Sequence, residues 1–356
     1  MSHAVGEVPS DRCGYTYDVS TLRDIGAVSC WRETWRDEDR CLWHAETDVK
    51  PRDELEAWRP EAPERLDGAV LGQVSLNGVD WFEGCRLVGA ELSGVDLHDA
   101  SLAGADLRDA SLEHVAARRA NFSEVDLEDA SLNVCDLRDA DLTGARLDQA
   151  VFANVRISRA TAFGSTTVYE AELDEGPDRD DDEYLRAAQA AIWSYREIRE
   201  LHERNALPIE SRRYYLDEKD MRRRVDWHQG NYADALKAEG SRWVTGYGMS
   251  YWRVLATSAA FILLCAALYP LTGGIQETAG GDTTTWSLES PEDAPPFYIA
   301  YIFVRSLYFS AITFSTLGYG DIRPVGAVAR GLAGAESLLG SVLSALLVFV
   351  LTRRIS

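Results

Sequence analysis

The chain has 356 residues, 46% of them hydrophobic, and a formal net charge of −22. That length leaves room for more than one folded unit, and that charge argues against a nucleic-acid-binding surface. Only Lys50, Lys219 and Lys237 are lysines among 36 basic residues. This balance suits a halophile's cytoplasm, where salt screens dense carboxylates, although a GC-rich gene would also favour arginine. No Walker loop, GxSxG or paired-acid motif is present, so no enzymatic activity is expected.

Residues 1–60 are rich in charge and tryptophan, with no apolar leader, which predicts a cytoplasmic N-terminus. Cys13, Cys30, Cys41 and His44 follow the spacing C-x16-C-x10-C-x2-H. The closing Cys41-Leu42-Trp43-His44 has the knuckle spacing with which two ligands grip one tetrahedral ion. In a reducing cytoplasm a disulfide is disfavoured, so the reading is a structural Cys3His zinc site. The bland alternative is four unrelated residues in a loose tail.

A repeat array fills residues 64–166. Steps of five from Leu87 to Ile157 give fifteen positions: eleven Leu, Phe122, Phe152, Ile157 and Ala117. Two residues before each stands nine times Ala, four times Val, and otherwise Cys85 or Cys135. A helix rotates about 140° per five residues and smears such a stripe, while a strand would alternate faces. A backbone that turns a corner every five residues keeps both positions inward. The phase slips by one residue between Leu76 and Phe82, which suggests a bulge there. Ala105-Asp106-Leu107 and Ala140-Asp141-Leu142 resemble the A-(D/N)-L-x-x motif of the pentapeptide-repeat family. The resemblance implies a right-handed quadrilateral β-helix with one coil per four repeats. About five coils, roughly 24 Å tall, would result. It implies a rigid module for assembly, gating or binding of a cytoplasmic protein or ligand. Some family members mimic DNA and bind topoisomerases, an alternative kept open.

The acidic stretch 167–182 reads as a solvated linker, with divalent-cation binding as a minor alternative. Residues 183–245 turn helical. Leu185, Ala188, Ile192, Tyr195, Ile198 and Leu201 share one face, Asn205–Pro208 breaks the pattern, and further helices cover Arg212–Arg224 and Tyr232–Trp243. This hairpin is a mechanical coupler or a passive spacer. Arg222-Arg223-Arg224 reads as a solvated face, with lipid headgroups as the alternative.

Tyr251–Thr272, about 33 Å as a helix, and Val325–Leu351 are long and apolar enough to span a bilayer. Domain limits of 250–272, 297–324 and 325–354 follow for the first span, the pore segment and the second span. The loop 273–296 between them carries Glu277, Asp282, Glu289, Glu292 and Asp293 and no basic residue, whereas Arg242, Arg253, Arg353 and Arg354 flank the spans. Positive residues favour the inside, so both termini are expected in the cytoplasm and the acidic loop outside.

Between the spans stands Thr316-Leu317-Gly318-Tyr319-Gly320-Asp321. Stacked rings of carbonyl oxygens can replace a potassium ion's water, and glycines permit the dihedrals this needs. The run is similar to the T-V-G-Y-G-D signature of potassium channels. Together with the two spans, it resembles the prokaryotic two-helix channels over residues 250–354. The resemblance implies a homotetramer in the lipid bilayer that holds K+ at Thr316, Leu317, Gly318, Tyr319 and Gly320. It also implies support from Thr313 and Asp321, a re-entrant pore helix over Val304–Ser315, and a gating hinge at Gly340. Gly331 and Gly334 are rival kink sites, and small residues there can instead serve close packing. Glu336, an acid within the span, needs a partner: Arg330, Arg305 or a water-filled cavity. Leu317 replaces the usual Val, and Tyr308 and Phe309 stand where many members have Trp, so selectivity could be weakened. A second G-Y-G, Gly246-Tyr247-Gly248, precedes the first span and reads as a turn. With no voltage sensor ahead of Tyr251 and five residues after Leu351, gating is expected through the N-terminal half, the lipid or the ion. A non-selective cation pore and a membrane-tethered scaffold are the competing functions.

Overall fold

Leucine at every fifth position buries itself only if the backbone corners between repeats, and the chain does so. The computed structural model describes residues 9–16, 29–47, 49–175, 180–279, 282–288 and 296–355. They form two compact units, Met1–Gln229 and Gly230–Ser356. In the first, a short helix α1 (Arg52–Ala57) precedes five three-residue strands. These are β1 (Val70–Gly72), β2 (Glu91–Ser93), β3 (Ser111–Glu113), β4 (Ser131–Asn133) and β5 (Val151–Ala153), stacked in parallel in chain order. Leu71, Leu92, Leu112, Leu132 and Phe152 are in register at their centres and buried. Isolated parallel bridges build the other sides, for example Arg86–Asp106–Asp126–Arg146 and Ser101–Asn121–Asp141. β1 pairs with β2 at an offset of 21 residues and β2 with β3 at 20, which locates the expected extra residue in the first coil. Cys85 and Cys135 take the small-residue positions and are buried. The corners demand left-handed backbone two residues after each leucine. Glycine supplies it at Gly89, Gly94 and Gly104, but Asp99, Asp109, Arg119 and even β-branched Val134 adopt it too.

A stack of strands leaves two open edges, which invite aggregation. At the first coil, Val70 donates its amide to the Trp43 carbonyl at 2.8 Å, so the cysteine segment covers β1. Buried Trp43 meets Phe82 edge-on at 6.0 Å. The Lys50 ammonium, also buried, donates to the Trp43 carbonyl at 3.2 Å and to that of Val70. At the last coil, α2 (Val168–Glu175), α3 (Asp181–Arg204) and α4 (Pro208–His228) close the stack. Arg204 donates to the Phe152 carbonyl at 2.5 Å. Asn205 donates to the Val155 carbonyl and accepts from the Ile157 amide, both at 3.0 Å. The residues that break the helix are thus those that seal the coil.

Two expectations change here. The stretch 167–182 is not a bare linker, since Val168–Glu175 is helical. Tyr169 buries its ring there, donating to Glu128 at 2.9 Å and accepting from the Asp148 amide at 3.0 Å. Gly176 to Arg179 lie outside the described residues. Nor are the three helices of 183–245 one block: α3 and α4 belong to the repeat unit, and α5 (Tyr232–Thr245) to the second. Arg222, Arg223 and Arg224 pair with Glu218, Asp220 and Glu170 at 2.9, 3.0 and 3.2 Å, an ion-paired helix surface.

Acid crowding on the coils has a measurable consequence. Burial pushes the Asp126 carboxyl up to about 6, Glu128 and Asp106 add repulsion, and Arg108 opposes them. Folded Asp126 therefore holds its proton more tightly than the unfolded chain does. Its contribution to stability is present below about pH 4 and lost as pH rises through about 6. Asp126→Asn keeps an acceptor for the Glu128 amide, 3.1 Å away. It should stabilise the repeat unit by about 1–2 kcal/mol at pH 8 and by nothing at pH 4, measured by thermal unfolding followed by circular dichroism.

In the second unit α5 ends at Gly246, and Gly246-Tyr247-Gly248 is the expected turn. Helix α6 (Tyr251–Leu268) continues as one 3-10 turn to Leu271. The loop then forms a hairpin, β6 (Ile275–Ala279) and β7 (Asp282–Trp286). Gly274 has φ +85°, and a Cβ there would lie 2.2 Å from the Trp286 carbonyl oxygen, so the hairpin's base requires glycine. Glu289, Glu292 and Asp293 lie outside the described residues. Helix α7 (Tyr298–Phe314) leads to β8 (Ile322–Pro324), which pairs with β6, and then to α8 (Gly326–Ile355). The pore helix is longer than Val304–Ser315 because Tyr298 and Ile302 extend its buried face by more than a turn. Tyr251–Leu271 and Gly326–Thr352 are long and apolar enough to cross a membrane.

Candidate pore and thiol–imidazole cluster

The T-L-G-Y-G-D run begins where α7 stops. Ser315 ends the helix, and the amides of Thr316 and Leu317 donate back to the Thr313 and Ile312 carbonyls, both at 3.0 Å. Thr313 thus supports the turn through its backbone. The backbone then takes positive φ at Thr316 (+58°), Gly318 (+51°) and Gly320 (+80°). Alternate left-handed residues turn successive carbonyls in a way that a regular strand cannot, and two of the three positions are glycine. The C-terminal end of α7, partly negative, lies at the start of this run.

Asp321 is anchored on both sides. Its Oδ2 accepts from the Tyr308 hydroxyl at 3.0 Å, and its carbonyl accepts from the Thr278 amide of β6 at 3.0 Å. Tyr308, where Trp is usual, therefore still braces the run. Glu277 adds a link, pairing with Arg305 of α7 at 3.0 Å and accepting from the Trp286 indole at 3.1 Å. Leu317 and Tyr319 are 60% and 68% exposed in the single chain.

Glu336 is buried, and its partners are not those expected. Arg305 is paired to Glu277, and Arg330 is exposed. The Glu336 carboxyl instead receives the Tyr269 hydroxyl at 2.6 Å and the Ser310 hydroxyl. Polar residues inside apolar helices were the available signal, but spacing could not pair residues from three helices. At Gly340 a Cβ would lie 2.2 Å from the Phe314 carbonyl oxygen, whereas Gly331 and Gly334 have nothing near. Close approach to α7 is what requires glycine there.

The second cluster assembles in the other unit. Cys13, Cys30, Cys41 and His44 are all buried, with one ligand atom from each within 4.8 Å of every other. His44 Nδ1 lies 3.3 Å from Cys13 Sγ and 3.2 Å from Cys41 Sγ, and Cys30 Sγ lies 3.9 Å from Cys41 Sγ. Tetrahedral ligation, with Zn–S about 2.3 Å and Zn–N about 2.0 Å, sets ligand separations of roughly 3.5–3.8 Å. The donor set fits that ion. His44 Nε2 lies 2.9 Å from the Asp67 carbonyl oxygen, which assigns its proton to Nε2 and makes Nδ1 the atom that could hold a metal ion. Tyr15 stacks on the His44 ring at 4.2 Å, and Gly68 leaves room for it, since a Cβ there would meet the Tyr15 hydroxyl at 1.9 Å. Hydrogen bonds from Cys13 and Cys41 hold the Cys30 thiol far below its ordinary range, whereas those from Cys13 and Cys30 push Cys41 up. Burial opposes a charged His44, but Cys13 and Cys30 outweigh it and raise the imidazole to about 9. The spacing pointed to these four residues, which the structure brings together; Tyr15, Asp67 and Gly68 come from elsewhere in the chain and carry no such signal.

Comparison with known families identifies two domains. Residues 294–356 match an ion-channel family, and residues 82–113 and 120–159 match pentapeptide repeats in eight copies. The chain joins a pentapeptide-repeat domain to an ion-channel domain. Neither family is enzymatic. Among solved structures, the repeat domain is similar to Rfr23, a pentapeptide repeat protein of the cyanobacterium Cyanothece 51142 (20% identity, 28% of this chain and 82% of that one, TM-score 0.28). It is also similar to HetL of Nostoc sp. strain PCC 7120 (28% identity, 28% of this chain and 48% of that one, TM-score 0.23). A third is a pentapeptide repeat protein of the Arabidopsis thaliana thylakoid lumen (27% identity, 33% and 77%, TM-score 0.18). No curated protein matches the chain.

Proposed function

We infer that the ion-channel domain assembles as a membrane homotetramer that conducts potassium selectively. The observation that carries this reading is the alternating left-handed backbone at Thr316, Gly318 and Gly320, directly after the pore helix. Four such runs around an axis supply rings of carbonyls from Thr316, Leu317, Gly318 and Tyr319, with Gly320 at the outer end. The exposure of Leu317 and Tyr319 in one chain suits burial against neighbouring subunits. Arginines flanking the spans, and acids in the loop between them, favour cytoplasmic termini.

In the repeat domain, Cys13, Cys30, Cys41 and His44 would hold one structural zinc ion, which would secure the segment covering β1. That domain serves assembly, gating or partner binding on the cytoplasmic side. Reconstitution into liposomes tests the pore: potassium flux well above sodium flux is expected, and cross-linking should trap four chains. Equal fluxes would favour a non-selective pore, and no flux would favour a tethered scaffold.

A further inference from the structure

Glu336 lies inside the apolar span of α8 and is fully buried. A carboxyl there is costly unless hydrogen-bonded, and such residues mark function. Each oxygen has a hydroxyl: Tyr269 reaches Oε2 at 2.6 Å, and Ser310 reaches Oε1. Tyr269 follows α6 directly and meets Phe309 of α7 edge-on at 4.9 Å. The Ser310 hydroxyl also lies 2.9 Å from the Ile262 carbonyl oxygen of α6. One side chain therefore ties both spanning helices to the pore helix.

One turn further along α8, Gly340 packs on the Phe314 carbonyl, and Phe314 is one turn beyond Ser310 on α7. The two rungs, Glu336–Ser310 and Gly340–Phe314, grip α7 where it passes into the filter. Ile312 and Thr313, which hold the first filter amides, lie between the two gripped residues.

We propose that Glu336 is a positioning residue for the filter, acting through Ser310 and Tyr269, and that Gly340 is the second contact of this clamp. The proposal rests on the potassium-channel reading above. If α7 shifts, the filter carbonyls that follow it shift too, and their spacing decides which ion they replace water for. Motion of α8 would accordingly be felt at the filter base.

The test uses the full chain in planar bilayers under bi-ionic potassium and sodium. Ser310→Ala and Glu336→Ala should each lower the potassium-to-sodium permeability ratio about tenfold, the equivalent of one buried hydrogen bond. Their combination should lower it no further than Glu336→Ala alone, because that variant already removes the contact with Ser310. Glu336→Gln, which keeps the volume and an acceptor, should restore most of the ratio. A selective wild type with unchanged Ser310→Ala and Glu336→Ala variants overturns the proposal. Should Glu336→Ala fail to assemble, Ser310→Ala, which removes one oxygen, decides alone. A wild-type ratio near one would instead overturn the potassium reading on which the clamp depends.

Discussion

Replacing Gly318 by alanine should abolish potassium flux while leaving the assembled protein intact. In a single chain nothing lies within 4 Å of the Cβ that alanine would add, so the loss comes from conformation. Gly318 sits at φ +51°, where an L-residue costs roughly 1–2 kcal/mol. In a tetramer that cost falls four times on one ring of carbonyls. The backbone can relieve it by rotating the peptide, which turns a carbonyl away from the ion. Liposome flux should drop below detection, with an unchanged elution volume. Flux within a factor of about three of wild type would mean that these carbonyls do not line the path.

The second large effect belongs to the thiol–imidazole cluster. Purified protein should contain one zinc per chain by metal analysis, and Cys41→Ser should reduce this to near zero. Cys41 is fully buried, its neighbour Trp43 is almost so, and the Trp43 carbonyl caps the edge of β1. Losing the ion therefore exposes an indole and a strand edge together. A strong chelator should shift tryptophan emission to longer wavelength and lower the first thermal transition, since zinc binding supplies folding energy to small segments. Protein with no stoichiometric zinc, and with emission unchanged by chelator, would show that the four residues pack without an ion.

Several features were legible in the residues themselves. Leucine and alanine at fixed offsets from Leu87 to Ile157 already implied a backbone that corners every five residues, and the resemblance to the pentapeptide-repeat family implied four sides to each coil. The T-L-G-Y-G-D run and the apolar spans were equally direct, being contiguous. What escaped had a common character: it depended on residues far apart in the chain. The acidic composition of 167–182 argued for a linker, yet Tyr169 finds a buried seat against Glu128 and Asp148 and turns Val168–Glu175 into a helix. Asn205 reads as a helix breaker, but its amide also seals the last coil. Glu336 announced a missing partner, and charge pairing suggested arginine. Two hydroxyls serve instead, because Arg305 is already neutralised by Glu277 in the hairpin that folds back beside it. At Gly340 the close approach of the Phe314 carbonyl was likewise invisible in the sequence.

The reversal potential tests the central claim most directly. With the full chain in a planar bilayer, potassium on one side and sodium on the other, the current should reverse far toward the potassium equilibrium potential. It should do so despite Leu317 in place of the usual valine, since on the proposed reading the carbonyl, not the side chain, would face the ion. A reversal near zero would contradict the account and make this pore non-selective.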